Sequence, residues 1–258
     1  LNAGREGQNV NSVAIGSDAA KSGQQFDCVA IGYNAGNSIQ NARAVAIGPF
    51  AGKSSQGSHA IAIGFDAGRE NQDSNSVAIG SFAGKISQGE NSIAIGRNAG
   101  FSNQDGGGNG IAIGFEAAYK NQDDNSIAIG TDAGRSNQGA NAIAIGRKAG
   151  FSNQNSGSVV INGGFSELLA PNAGFYINPV RNDTGNTSTY SLQWSTSTKE
   201  VTYDTAKTFV IDHPDDKEKY LVHGCLEGPE GGVYYRGRGE VGTPVKLPDY
   251  VPNLIKGE

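Results

Sequence analysis

A four-residue motif recurs through the first 162 residues of the chain: one β-branched residue, then alanine, isoleucine and glycine. Consecutive motif glycines are 16 residues apart, with one interval of 18. They are Gly16, Gly32, Gly48, Gly64, Gly80, Gly96, Gly114, Gly130 and Gly146. A tenth copy at 159–162 keeps the phase but has Asn162 in place of glycine. A constant period of this length predicts a solenoid, in which each coil contacts only its neighbours.

The composition supports a thin, repetitive structure. Only 36% of the residues are hydrophobic and 39 of the 258 are glycine, so the chain cannot fill a thick globular core. The glycines follow no Gly-X-Y period, which excludes collagen. A formal charge of −5 without a basic stripe argues against nucleic acid as a partner. No apolar run approaches the ~20 residues that span a bilayer, so we expect no membrane partner.

Alternation of β-branched residues with alanine predicts one short strand per coil, with a large apolar face and a small one. A single coil leaves the large face uncovered, so coils must stack, and a rod this thin gains most of its burial from other chains. We assign the core and the contacts between chains to this face: Val13, Ile15, Val45, Ile47, Ile61, Ile63, Ile93, Ile95, Ile127, Ile129, Ile143 and Ile145.

A glutamine lies eight residues after every motif glycine. These residues are Gln24, Gln40, Gln56, Gln72, Gln88, Gln104, Gln122, Gln138 and Gln154, and Gln8 fits the same phase. One interpretation is a ladder of stacked amides that bond along the solenoid axis. The other is a turn preference shared by all coils.

Aromatic side chains occupy some of the variable positions that follow the glycine. Tyr33, Phe65, Phe82 and Phe115 are candidates for a receptor surface, where their rings would stack on sugar faces. The same side chains could fill seams between chains, and we favour seams because apolar patches more often mark protein contacts. Cys28 stands where other copies have a small residue, which indicates packing rather than reactivity.

Units such as 75–80 and 91–96, both Asn-Ser-apolar-Ala-Ile-Gly, resemble the head repeats of YadA-type trimeric autotransporter adhesins. Similar repeats occur in viral and phage fibres. The resemblance covers about residues 9–162. It implies an obligate homotrimer of left-handed parallel β-rolls, with the Val/Ile strands on the inside of the assembly.

The repeat motif stops after Asn162, and strand-like runs separated by glycine and proline follow. The runs at 190–194 and 199–203 predict a hairpin. Residues 174–255 resemble a module in fibre proteins of large DNA viruses, especially algal ones, and of some phages. We therefore divide the chain into head repeats at 1–163, a β connector at 164–206 and a β-rich C-terminal module at 207–258. Because related fibres often continue past this module, we expect the chain to be a fragment or a processed product.

Two clusters in the C-terminal third could suggest chemistry. His223, Cys225 and Glu227 alternate on one predicted strand face, but ligands so close on one strand rarely reach one tetrahedral ion. The carboxylates of 212–218 crowd a single proline-broken turn instead of flanking a cleft, as glycoside hydrolysis would need. We therefore assign no catalytic, metal or cofactor site and expect the chain not to be an enzyme.

These observations predict an all-β protein: a left-handed parallel β-roll solenoid of 16-residue repeats in a homotrimer, followed by a smaller β-rich domain. The function that we expect is a structural fibre or adhesin segment on a virion surface, in contact with itself and with a host glycan or protein. One alternative is the head of a bacterial trimeric autotransporter adhesin, which should continue into a coiled-coil stalk. The other is a fibre-borne glycan hydrolase, which would cleave host glycans.

Overall fold

A computed structural model describes residues 2–104, 108–180, 191–204, 208–213 and 216–224. The chain forms two compact units, residues 1–181 and 182–258. The described residues form strands and turns, with no helix among them. The strands are β1 (Val13–Ile15), β2 (Ser22–Gln24), β3 (Val29–Ile31), β4 (Ser38–Gln40), β5 (Val45–Ile47), β6 (Ser54–Gln56), β7 (Ile61–Ile63), β8 (Glu70–Gln72), β9 (Val77–Ile79), β10 (Ile86–Gln88), β11 (Ile93–Ile95), β12 (Ser102–Gln104), β13 (Ile111–Ile113), β14 (Lys120–Gln122), β15 (Ile127–Ile129), β16 (Ser136–Gln138), β17 (Ile143–Gly146), β18 (Ser152–Gln154), β19 (Val159–Asn162), β20 (Phe175–Asn178), β21 (Ser191–Trp194), β22 (Val201–Asp204), β23 (Thr208–His213) and β24 (Asp216–Gly224).

The first unit is a parallel β-solenoid built from two sheets. The odd-numbered strands β1 to β19, followed by β20, form an eleven-stranded sheet, and the even-numbered strands β2 to β18 form a nine-stranded sheet. Each strand pairs in parallel with the equivalent strand one repeat away, as in Val13 opposite Val29. The prediction of an all-β parallel solenoid with a 16-residue repeat is confirmed.

The chain turns between the sheets because several positions of each coil adopt left-handed backbone conformations. One such position precedes the glutamine, as at Asn71 with φ 55°, and another lies three residues after it, as at Asn75 with φ 59°. A third lies two residues after the motif glycine, as at Asp66 with φ 56°. Asparagine, aspartate and glycine tolerate this region best. The turn requirement therefore explains the asparagine-rich sequence between the strands.

The motif glycine itself is required by close contact between coils. Gly80 has φ 124°, and a Cβ atom built on it would lie 2.8 Å from the carbonyl oxygen of Gly96 in the next coil. Backbone atoms cannot move away from such a contact as a flexible side chain could. The row of motif glycines thus lets successive coils stack at strand spacing, about 4.8 Å apart.

The interior of the solenoid is lined almost entirely by alanine and glutamine. The middle alanine of each apolar strand is buried, as is the alanine three residues after the glycine. Ala78 and Ala83 are examples, both fully inaccessible to solvent. Val160 is the largest hydrophobic side chain in this core. Small apolar side chains and amides therefore fill the space between the two sheets, and Val160 is the one β-branched residue among the described hydrophobic residues buried there.

The sheet extends beyond the last copy of the motif. Strand β20 pairs in parallel with β19, with Phe175 opposite Val159 and Ile177 opposite Ile161. The 16-residue step is therefore kept where the motif is lost. Strand β20 joins the sheet through backbone hydrogen bonds and has an apolar residue at both outer positions. Asn178 pairs with Asn162 at the place where the earlier coils have the motif glycine.

Two antiparallel hairpins are described in the second unit. Strands β21 and β22 pair with Trp194 opposite Val201, which confirms the predicted hairpin at this place. Strands β23 and β24 form the other hairpin, with Phe209 opposite His223 and a register shift at Asp212/His213.

Candidate interaction surfaces

The β-branched residues of the eleven-stranded sheet point out of the coil. Ile15 is 58% exposed, Ile95 36% and Ile145 40%, and the row continues to Phe175 at 61%. Every strand in this sheet, the odd-numbered strands β1 to β19 and β20, has an apolar residue at its two outer positions, the first and the third, and these include all the residues that we assigned to the core and chain contacts. The structure places them together on one outer face, whereas alanine fills the interior. We call the outer side of this sheet the apolar face.

The outer side of the nine-stranded sheet is polar. Its outward positions carry mainly serine, and the left-handed residues between them are mostly asparagine, serine or glycine. Exposed asparagines bond from coil to coil: Asn103 donates to Asn121 at 3.0 Å, and Asn121 donates to Asn137 at 2.8 Å. We call this side the polar face. Water can solvate it without help from a partner.

The repeated glutamines form a buried ladder between the sheets. The Nε2 atom of Gln56 donates to Oε1 of Gln72 at 3.2 Å, and Gln72 donates to Gln88 in the same way at 3.2 Å. The same Nε2 of Gln72 also donates to the backbone carbonyl of Ile61 at 2.9 Å. Each side chain is at most 2% exposed. The ladder thus ties consecutive coils and joins the two sheets.

Two rungs of the ladder are missing. Oε1 of Gln104 is buried without a hydrogen-bond partner, one repeat after Gln88. Oε1 of Gln24 is also unpaired, and Gln8, the residue that would donate to it, is exposed and donates to the carbonyl of Ser12 instead. The missing rung between Gln88 and Gln104 directly precedes the 18-residue repeat, whereas the rung across that repeat, from Gln104 to Gln122, is present at 2.8 Å.

A row of aromatic rings follows one corner of the solenoid. Ring centroids lie 4.9 to 6.4 Å apart along Tyr33, Phe50, Phe65, Phe82, Phe101 and Tyr119. Cationic side chains lie over several of these rings. Lys85, for example, has its Nζ 4.9 Å from the centroid of Phe82 and 5.2 Å from that of Phe101. Such contacts stabilise the corner and already cover many of the ring faces.

The four aromatic residues predicted for a receptor surface are only partly together. Tyr33, Phe65 and Phe82 belong to the aromatic row, and Tyr33 and Phe65 are 51% and 44% exposed. Phe115 is half-buried outside that row, with the Arg97 guanidinium 4.7 Å from its ring centroid. Phe101 and Tyr119 were missed by sequence reasoning. Both lie five residues after a motif glycine, where every coil but one carries a lysine, an arginine or an aromatic residue, and that preference was the available signal.

Ion pairs lie beneath the aromatic row. The Asp66 carboxylate is almost fully buried and accepts from Arg69 Nη1 at 3.2 Å, with Lys85 Nζ at 3.7 Å. Arg135 pairs in a similar way with Glu116 at 2.8 Å and with Asp132 at 3.4 Å. These carboxylates neutralise part of the positive charge of the corner.

The Cys28 thiol is buried inside the coil. Its Sγ donates to the backbone carbonyl of Asn41 at 3.0 Å. Burial raises the pKa of the thiol, which keeps it protonated and unreactive at neutral pH. This environment agrees with a packing role.

The described part of the chain has no group of three or more His, Cys, Asp or Glu residues that could hold a metal ion. Cys225, Glu227 and Asp215 lie outside the described residues, as do the side chains of Asp212, Asp216, Glu218 and His223. Among the described residues, no helix is long and apolar enough to cross a membrane.

One protein family matches the chain. The family model described as the YadA head domain repeat, in two copies, matches residues 87–99. This segment contains strand β11 with its glycine and the end of β10, so it spans about one coil. No curated protein and no solved structure matches the chain. The chain therefore carries a repeat similar to that of YadA heads.

Proposed function

We propose that the chain is a segment of a trimeric surface fibre, in which the apolar faces of three copies meet on a common axis. One observation carries the proposal: with the exception of Val160, the apolar side chains that the solenoid buries within each chain are small, and the large ones of the eleven-stranded sheet are exposed in one continuous face. An exposed apolar face that continues over all eleven strands of a sheet is typical of a contact surface in soluble proteins. A second copy offers the same face at the same spacing.

The similarity to the YadA head repeat supports a threefold assembly. Adhesins of that type are homotrimers exposed on the cell surface, and their head repeats are structural, like most β-solenoids. Three flat sheets can close around an axis and leave their polar faces in water.

We place this fibre on a virion, where it would support attachment to a host glycan or protein. The support is the resemblance of residues 174–255 to a module of viral and phage fibres. A bacterial adhesin head has the same repeat and fits the solenoid equally well. The two origins differ in what the parent protein should carry, since a bacterial adhesin continues into a coiled-coil stalk.

Sedimentation equilibrium of the whole chain, together with a glycan array, tests the proposal. We expect a trimer at micromolar concentration and binding of at least one glycan or host protein by the trimer. A folded monomer contradicts the trimeric fibre. Cleavage of a glycan during the incubation favours the fibre-borne hydrolase instead.

A further inference from the structure

We propose that neighbouring chains also contact each other through the two corners of the coil, which carry opposite charge. This inference rests on the proposed trimer. The glycine corner comprises the five residues after each motif glycine, and the glutamine corner comprises the four residues after each ladder glutamine. The first corner of one chain would dock on the second corner of the next.

The glycine corner is basic and bulky, although the linear sequence shows no basic stripe, because the fold stacks residues 16 positions apart into one row. Over the nine coils from 17–21 to 147–151 it carries eight cationic and four anionic side chains, a formal charge of +4. The cations are Lys21, Lys53, Arg69, Lys85, Arg97, Arg135, Arg147 and Lys148, and the anions are Asp18, Asp66, Glu116 and Asp132. Each of these carboxylates has a cation of the same corner within 4.0 Å. Among the described residues, Lys53 and Arg97 have no carboxylate within that distance, so the corner presents net positive charge.

The glutamine corner is acidic and small. In the coils where it is described, it carries five anionic side chains and one cationic side chain, a formal charge of −4. The anions are Asp27, Asp73, Glu90, Asp123 and Asp124, and the cation is Arg43. Most other residues of this corner are glycine, alanine, serine or asparagine. Small side chains leave room for the aromatic rings and long cations of the opposite corner.

The geometry of a cyclic trimer brings these two corners together. Three apolar faces can surround an axis only if their strands run tangentially, so the end of a strand in one chain lies beside the start of a strand in the next. Contacts of this kind join two different surfaces, as every threefold interface does. The glycine corner follows each strand of the apolar sheet, and the glutamine corner precedes it. The corners are therefore neighbours between chains, at the same height along the axis.

Charges at equal height are complementary in the middle of the solenoid. Glu90 precedes strand β11 and Arg97 follows it, so each seam would pair Arg97 with the Glu90 of the next copy. Within one chain the three-residue strand separates them. Asp123 and Asp124 precede β15 and Arg135 follows it in the same way. Two coils nearer the N-terminus are exceptions: Lys53 follows the strand that Arg43 precedes, and no charged residue at 33–37 follows the strand that Asp27 precedes.

An acidic polysaccharide could also occupy a basic aromatic corner. We favour the second copy for two reasons. The chain itself carries a complementary acidic corner at the matching height, and cations already cover many of the ring faces that sugars would need. The test separates these two occupants.

Charge reversal with rescue tests the seam. The variants are R97E, E90K and the double variant R97E/E90K, with K120E as the matched control. Lys120 is exposed at the start of β14 in the polar sheet, so its reversal changes the charge of the chain as R97E does. The trimer dissociation constant is measured by sedimentation equilibrium at low and high salt.

We expect each single variant to weaken the trimer about tenfold at low salt, because three exposed ion pairs per trimer become repulsive. The double variant should regain most of this loss, K120E should show little, and added salt should shrink the differences. Equal stability of R97E and K120E, or no rescue in the double variant, overturns the seam while leaving the trimer intact. Retention of the wild type but not R97E on heparin beads, with unchanged trimer stability, assigns the corner to a polyanion instead. A monomeric wild type contradicts the proposed function itself.

Discussion

The two sheets of the solenoid share one interior but present opposite outer surfaces. The apolar face carries β-branched side chains in every strand, and the polar face carries serine and asparagine at matching positions. Both sheets have the same parallel register and line the same alanine and glutamine core. Backbone pairing therefore does not distinguish them. The difference lies in the side chains that each sheet exposes to water. It is the reason why we propose that partner chains cover the apolar face and leave the polar face in water.

The largest effect is expected from one charge placed on each face. Ile95→Asp puts a carboxylate on the apolar face, where the trimer would bury three unpaired copies at a cost of several kcal/mol each. We expect loss of assembly. Ser102→Asp places the same charge on the polar face and should leave assembly unchanged. Light scattering on both variants decides, and equal masses and equal thermal stability would show that the faces are assigned wrongly.

A second substitution tests the glycine stack that both sheets need. In Gly80→Ala the new Cβ meets the backbone of Gly96, and the residue must keep a φ of 124°. We expect a loss of about 3 kcal/mol or more, from strain and overpacking together. Gly157→Ala is the matched control, since a Cβ there has nothing within 4 Å and only the φ of 68° opposes it. Circular dichroism during urea unfolding measures both, and similar midpoints would contradict the close stacking.

The third prediction compares two glutamines of the shared core. Gln72→Ala removes two rungs and leaves the buried Oε1 of Gln88 without its donor, whereas Gln56 Nε2 keeps its bond to the carbonyl of Val45; the loss should be about 2–3 kcal/mol. Gln104→Ala removes only the rung to Gln122, because its own acceptor is already unpaired. We expect the second variant to lose less stability. A ladder that arises only from turn preference would give equal losses.

The smallest effect concerns an apolar residue on the polar face. Ile39 has φ 55° and is 52% exposed, although a β-branched residue is strained in this region. Most equivalent positions hold asparagine, serine or glycine, such as Asn71. Ile39→Asn should raise the free energy of unfolding by about 1 kcal/mol, and Asn71→Ile should lower it by a similar amount. No gain from the first variant would mean that a partner covers this side chain.

The sequence was sufficient to predict the repeat, the short parallel strands and which residues of a strand share one side, because each depends on local spacing. Val13, Ala14 and Ile15 define the two sides of a strand without any tertiary information. The run at 174–177 already reads as a strand in the sequence, but the pairing of β20 with β19 could not be predicted, since these residues share no motif with the coils and only backbone pairing places them. The place of Phe101 and Tyr119 in the aromatic row could not be predicted for a similar reason. Five residues of turn separate them from the strand, and only the folded turn brings the Phe101 ring beside Phe82 and the Tyr119 ring beside Phe101.

The mass of the assembled chain tests the central claim most directly. Sedimentation equilibrium over a concentration series should give a single species of three times the chain mass of 26.6 kDa. The apolar face explains this result, because burial of that face between copies replaces the thick core that each chain lacks. A monodisperse and folded monomer at micromolar concentration would contradict the account, since the exposed β-branched residues would then have no partner in the native state.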